Sequence, residues 1–87
     1  MEIIFLPVFK KEIDELPERI RKMAEKKLKI FLKDPFEKSL KTHKLKGNLN
    51  WMCFFWINRD YRIGFEIVNK KTVRLYYARI HDKMYKK

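Results

Sequence analysis

Eighty-seven residues, 46% hydrophobic and 38% charged, fit one small folded domain over residues 1–87. They exclude a disordered chain, and no apolar run approaches the ~20 residues of a membrane span, so neither a membrane protein nor a secretory precursor is expected. Lys and Arg number 22 against 11 Asp and Glu, a net charge of +11, which points to a polyanionic partner.

In chain order, Ile3 to Leu6 is a β-branched and aromatic run closed by Pro7, and it predicts a strand over residues 2–6. Phe9, Ile13 and Leu16 recur at helical spacing and predict a short helix over residues 9–16. Pro17 suits the first position of a second helix, and Glu18 in its first turn complements the dipole. The apolar stripe of that helix is Ile20, Met23, Ala24, Leu28, Phe31 and Leu32; its lysine-rich opposite face is solvated, and Asp34-Pro35 ends it. Residues 36–50 are irregular, anchored by Leu40 and Leu45, with His43 in the loop and a turn at Gly47-Asn48.

Trp51 to Ile57 is apolar on both alternating faces and predicts a central strand covered on both sides. After a tight turn at Asn58, Arg59 and Asp60, the residues Tyr61, Ile63, Phe65 and Ile67 alternate with Arg62, Gly64, Glu66 and Val68, a half-buried strand. A hairpin turn at Asn69 to Lys71 leads to a last long strand over 72–80 and a short basic end over 81–87, read as a turn or helix. The expected fold is α+β, in the order β-α-α-β-β-β. Two N-terminal helices lie on one face of a small, twisted, mainly antiparallel sheet of about four strands.

The charge is uneven along this plan. Residues 1–43 carry 11 basic and 8 acidic side chains, net +3, whereas residues 44–87 carry 11 and 3, net +8. The second half lacks a basic amphipathic helix with an apolar insertion face, so nucleic acid is preferred over membrane. A lone cysteine, Cys53, inside an apolar run fits a small buried hydrophobe in a reducing compartment, here the cytoplasm, and excludes an internal disulfide. With two histidines 38 positions apart and no paired acids nearby, no metal or cofactor is expected. The sheet face away from the helices carries Arg62 and Glu66, and the strand ends bring His43 and His81 toward one rim. Guanidinium groups among aromatic rings suit RNA, since the cations pair with phosphates and the rings stack on unstacked bases. Each residue also has a plainer reading. His43 and His81 can be surface histidines, Arg62 can pair with Asp60 or Glu66, and Tyr76 and Tyr85 can be packing residues with a wet hydroxyl.

Five stretches carry a resemblance: Phe9-Lys10-Lys11 through Leu16-Pro17, Asp34-Pro35 with Ser39-Leu40, His43 to Gly47, Asp60 to Ile63, and Ile80 to Tyr85. In this order they resemble the RelE superfamily of bacterial and archaeal toxins, and within it the YafQ-like group most, over nearly the whole chain. The resemblance implies an mRNA endoribonuclease that halts translation, commonly on the ribosome at its 16S rRNA surface, and is restrained by a cognate acidic antitoxin. It implies metal-independent attack of a ribose 2′-hydroxyl on the adjacent phosphate, which calls for a base, an acid and cationic donors.

The residues matching the family's site are His81 as general acid or base, His43 as its partner, Arg62 for phosphorane charge, Asp60 to orient a histidine or act as base, and Tyr85 to stack or touch phosphate. Lys44, Lys46, Arg59, Arg74, Arg79 and Lys83 are the expected RNA contacts. The chain departs from the family at Trp56, where YafQ-like sequences have a histidine, and at Phe54, Phe55 and Ile57, where RelE presents lysines. Which residue is the base is therefore open, and Arg79 stands two residues from His81 as a substitute arginine. Two other readings stay open: a ParE-like toxin that poisons gyrase by binding, and an inactive member that docks on RNA.

Overall fold

A computed structural model of the chain describes residues 1–47 and 50–81. The elements are β1 (Glu2–Phe5), α1 (Pro7–Glu15), α2 (Glu18–Lys33), a 3₁₀ turn (Lys38–Leu40), β2 (His43–Lys44), β3 (Cys53–Trp56), β4 (Tyr61–Asn69) and β5 (Thr72–Ile80). The strands form one sheet in the order β1, β5, β4, β3, β2. All neighbours are antiparallel except β1, which runs parallel to β5. The α+β class, the helix pair and the hairpin-linked strands agree with the sequence reading.

Several details correct it. The sheet has five strands rather than about four, because His43 and Lys44 leave the predicted loop and pair with Phe54 and Cys53. Helix α1 begins at Pro7, not Phe9, since the missing N–H and fixed φ of proline suit a first helical turn. Pro17 is the N-cap of α2 rather than its first residue, at φ −53° and ψ 145°. The strand predicted from Trp51 begins at Cys53. Trp51 does not join the core-facing row of Cys53, Phe55 and Ile57; it is 42% exposed and lies against Tyr76. Leu32 and Ile67, expected in the core, are exposed. The predicted C-terminal turn or helix, and Asn48 of the predicted turn, lie outside the described residues. Gly47 opens that turn at φ +74°, a backbone region that costs glycine little.

One core fills the space between the helices and the sheet. Phe9, Leu16, Ile20, Ala24 and Phe31 from the helices meet Cys53, Phe55, Ile57, Ile63, Phe65, Val73, Leu75 and Ala78 from the strands. Phe31 fixes α2 to the sheet, stacked on Phe55 and edge-on to Phe65 with both centroids at 4.8 Å. Both-sided cover of β3 is also met. On the other face Leu45, Met52 and Phe54 form a second buried group, with Trp56, Tyr76 and Tyr77 packed against it.

The register of β5 sets up that second face. Gly64 pairs with Tyr77 and Phe65 with Leu75, so Tyr76 is the extra residue of a β-bulge. The bulge shifts the alternation by one. Leu75 and Ala78 both reach the main core, and Tyr76 and Tyr77 both go to the opposite face. Among the described residues no helix is long and apolar enough to cross a membrane.

Candidate active site

Directly paired strand residues project to the same side of a sheet. Trp56 pairs with Arg62, and Arg62 pairs with Arg79, so one row crosses β3, β4 and β5 on the face away from the helices. The next row runs His43, Phe54, Gly64, Tyr77. Beyond Arg79 the chain reaches His81, whose backbone N–H donates to the Asp60 carbonyl at 2.7 Å. Asp60, Arg62, Arg79 and His81 thus share one corner, with Trp56 beside it.

Arg62 is 4% exposed, the one buried charged side chain among the described residues. Its Nη1 donates to the carbonyls of Asn58 at 2.7 Å, Arg59 at 2.6 Å and Tyr61 at 3.3 Å. Those carbonyls are aimed inward by an Asx turn, in which Asn58 Oδ1 accepts from the N–H groups of Asp60 and Tyr61, each at 2.9 Å. The guanidinium also lies 4.0 Å from the Trp56 ring centroid. A guanidinium keeps its proton under all physiological conditions, so this is a fixed positive charge held against the turn that carries Asp60.

His43 does not meet His81 at one rim as expected: it sits on the edge strand β2, with β3 and β4 between it and β5. Its Nδ1 contacts the Lys41 carbonyl at 2.7 Å, and because a carbonyl only accepts, Nδ1 is the donor, which leaves the lone pair on Nε2 whenever the ring is neutral. The ring sits edge-on to Phe54 with centroids 4.1 Å apart. Lys41 Nζ lies 4.1 Å from the Trp56 centroid, so Trp56 ties the His43 segment to Arg62.

Arg79 is fixed from two sides. Its Nε donates to Glu12 Oε2 at 2.8 Å, and its guanidinium lies 3.7 Å from the Tyr77 centroid. The other oxygen of Glu12 accepts from the Ala78 N–H at 3.0 Å, serving the part of β5 that extends beyond its pairing with β1. A cleft of about 310 Å³ between α1 and the end of β5 is lined by Glu12 and Arg79 among others, so Arg79 links it to the open face.

Other candidates are placed apart from this corner. Arg74 is paired with Glu66 at 2.8 Å, and the Tyr76 hydroxyl, with the Glu66 carboxylate, holds its guanidinium even more firmly charged than usual. Lys44 and Lys46 are exposed beside His43, and Arg59 is exposed in the turn. Lys83 and Tyr85 lie outside the described residues. Among the described residues no group of three or more His, Cys, Asp or Glu side chains is placed to hold a metal ion. Lys41, Tyr77 and Glu12 were not singled out by sequence reasoning. Glu12 is 67 residues from Arg79 and Tyr77 reaches this face only through the bulge, so neither had a local signal.

No family model matches the sequence, and no curated protein matches it. Solved structures do. YafQ from E. coli superposes with a TM-score of 0.79 at 12% identity, over 97% of each chain. The YoeB/ParE toxin from Agrobacterium tumefaciens gives 0.77 at 14%, over 93% of this chain and 99% of that one. A YoeB-YefM complex from Staphylococcus aureus gives 0.72 at 21%, over 93% and 97%. The chain has the fold of the YafQ and YoeB toxins. Its helix pair and mixed five-stranded sheet are therefore the toxin fold expected from the five short stretches of sequence, and the corner at Asp60, Arg62, Arg79 and His81 is built on that scaffold.

Proposed function

We propose that the protein is the toxin of a toxin–antitoxin pair and an endoribonuclease that cuts mRNA in the cytoplasm, on the ribosome at its 16S rRNA surface. The observation that carries this reading is the juxtaposition of His81 with the Asp60 turn, beside the fixed cations Arg62 and Arg79, in a chain with the toxin fold. In the reaction a base takes the proton of a ribose 2′-hydroxyl, and the oxygen attacks the adjacent phosphorus. The bond from phosphorus to the 5′-oxygen breaks, and an acid supplies the proton to that oxygen. The products are a 2′,3′-cyclic phosphate and a 5′-hydroxyl.

His81 serves as one of the two proton carriers. Asp60, whose turn meets His81, is the candidate for the other; His43 is three strand spacings away on β2, too far to share the phosphate with His81. Arg62 and Arg79 stabilise the extra negative charge of the phosphorane, and Tyr85 stacks on a base or contacts the phosphate. Lys44, Lys46, Arg59, Arg74 and Lys83 contribute backbone contacts; Arg74 contributes least, because Glu66 already offsets its charge. A cognate acidic antitoxin covers this basic surface in the resting cell, a reading supported by the similarity to a toxin solved as a YoeB-YefM complex.

The test is to incubate the protein with mRNA in EDTA, with and without programmed ribosomes, and to map the ends. Cyclic-phosphate or 3′-phosphate ends that disappear in His81→Ala support the enzyme. Intact RNA in both conditions, together with blocked gyrase supercoiling, assigns the fold here to a gyrase-binding toxin instead.

A further inference from the structure

The open face has a second end, away from His81, that the cleavage reading does not use. Trp51 is 42% exposed there and stands edge-on to Tyr76, with centroids at 5.2 Å and planes at 67°. Tyr76 is 5.8 Å from Tyr77, and Tyr77 lies under the Arg79 guanidinium. Ring contacts therefore run without a break from Trp51 to the proposed phosphate site. Tyr76 and Tyr77 are propped from beneath by the buried Leu45, Met52 and Phe54. The orientation of Tyr76 is fixed as well, because Glu66 accepts from both Tyr76 Oη at 3.3 Å and Arg74 Nη1 at 2.8 Å. The hydrogen bond from Leu45 N–H to the Met52 carbonyl at 2.9 Å places the exposed Lys46 across the hairpin from Trp51.

We propose that Trp51 and Tyr76 form a stacking platform for the bases of single-stranded RNA, separate from the scissile phosphate. This rests on the RNA reading above and extends it. A ring held rigid at low entropic cost and rimmed by cations is what a sequence-tolerant single-strand site requires. Charge selects the occupant, since this half of the chain is net +8. From Arg79 to Tyr76 is three residues along β5, and from Trp56 to Trp51 five residues along the β3 segment, or about 10–17 Å at strand rise. The platform therefore receives bases a short way along the strand from the cut.

Fluorescence anisotropy with a labelled 2′-O-methyl RNA of about ten nucleotides, which resists cleavage, measures the effect at several salt concentrations. Trp51→Ala and Tyr76→Ala are expected to raise Kd about 5- to 150-fold at every salt, because stacking on one base is worth that much and releases no counterions. The log–log salt slope then stays at the wild-type value, whereas Lys46→Ala shallows it by about 0.7. Trp51→Phe, which keeps a ring, recovers most of the affinity. If Trp51→Ala binds as tightly as wild type while wild type cleaves RNA, the platform is overturned and the nuclease reading stands. The same unchanged RNA affinity with weakened binding of an acidic partner protein assigns the patch to that partner and also overturns it. A Trp51→Phe protein that melts like wild type but binds as weakly as Trp51→Ala refutes stacking. Wild type that binds no free RNA overturns the platform, and the nuclease reading is then decided by the assay on programmed ribosomes.

Discussion

Arg62 holds the Asn58–Tyr61 turn through three carbonyls and lies on the Trp56 ring. Replacing it by alanine takes this donor from the Asn58 and Arg59 carbonyls, at a cost of about 2–4 kcal/mol, and loosens the turn that meets His81. Arg62→Ala is therefore expected to lower the urea midpoint as well as any cleavage rate. Arg62→Lys, which keeps charge but not the planar fork, should recover only part of either. An Arg62→Ala protein as stable as wild type would show that the turn holds without its latch.

Glu12 is the comparable positioning residue for Arg79, and Glu12→Gln is expected to cost about 1–2 kcal/mol, since the amide lacks the charge and has one acceptor oxygen for the two donors, Arg79 Nε and Ala78 N–H. Cys53 is a simpler case. Burial raises its thiol above the ordinary range, so the stability that depends on a neutral thiol is fully present below the ordinary thiol pKa. It is lost as pH rises through the elevated folded value. Alkylation of Cys53 near neutral pH should accordingly be slow in buffer and fast in urea; equal rates would contradict its burial.

Among the elements, α2 and the β3–β4 pair carry the core through Phe31, Phe55 and Phe65. Phe31→Ala should destabilise the fold by about 3–5 kcal/mol, measured by chemical denaturation, because no neighbour can collapse into so large a space. Phe31 was legible from helical periodicity, and Phe55 and Phe65 from strand alternation, because burial follows period wherever an element is regular. Legibility failed where regularity does. The Tyr76 bulge changes which residues share a face, and nothing in Thr72–Ile80 marks it. Strand β2 is two residues long and exists only because β3 offers an edge. Leu32 and Ile67 fit their stripes in period, yet the core does not extend over them. Within the candidate site, Arg62 and His81 were found because a charged residue on a half-buried strand and a histidine at a strand end are local signals. The contacts that orient them, from Asn58, Trp56 and the Asp60 carbonyl, are tertiary.

For the molecule as a whole, the +8 half supplies three of the strands and therefore the open sheet face. RNA affinity should fall with salt by about 0.7 log unit per log unit for each phosphate contacted. Charge removed from β2 and β5 should lower that slope more than charge removed from the exposed face of α2. An acidic antitoxin fits the same field. Adding it should raise the melting temperature and block RNA binding, and a partner that binds without altering RNA affinity would refute that mode of restraint.

Cutting of RNA at this face is proposed to run through the 2′-hydroxyl. The most direct measurement compares a mapped RNA substrate with the same strand carrying a single 2′-deoxyribose at the cleavage position, both in EDTA. The unmodified strand is expected to be cut to a 2′,3′-cyclic phosphate while the substituted strand stays intact at that position. Equal cutting of the two strands, or none of either on free RNA and on programmed ribosomes alike, would contradict it.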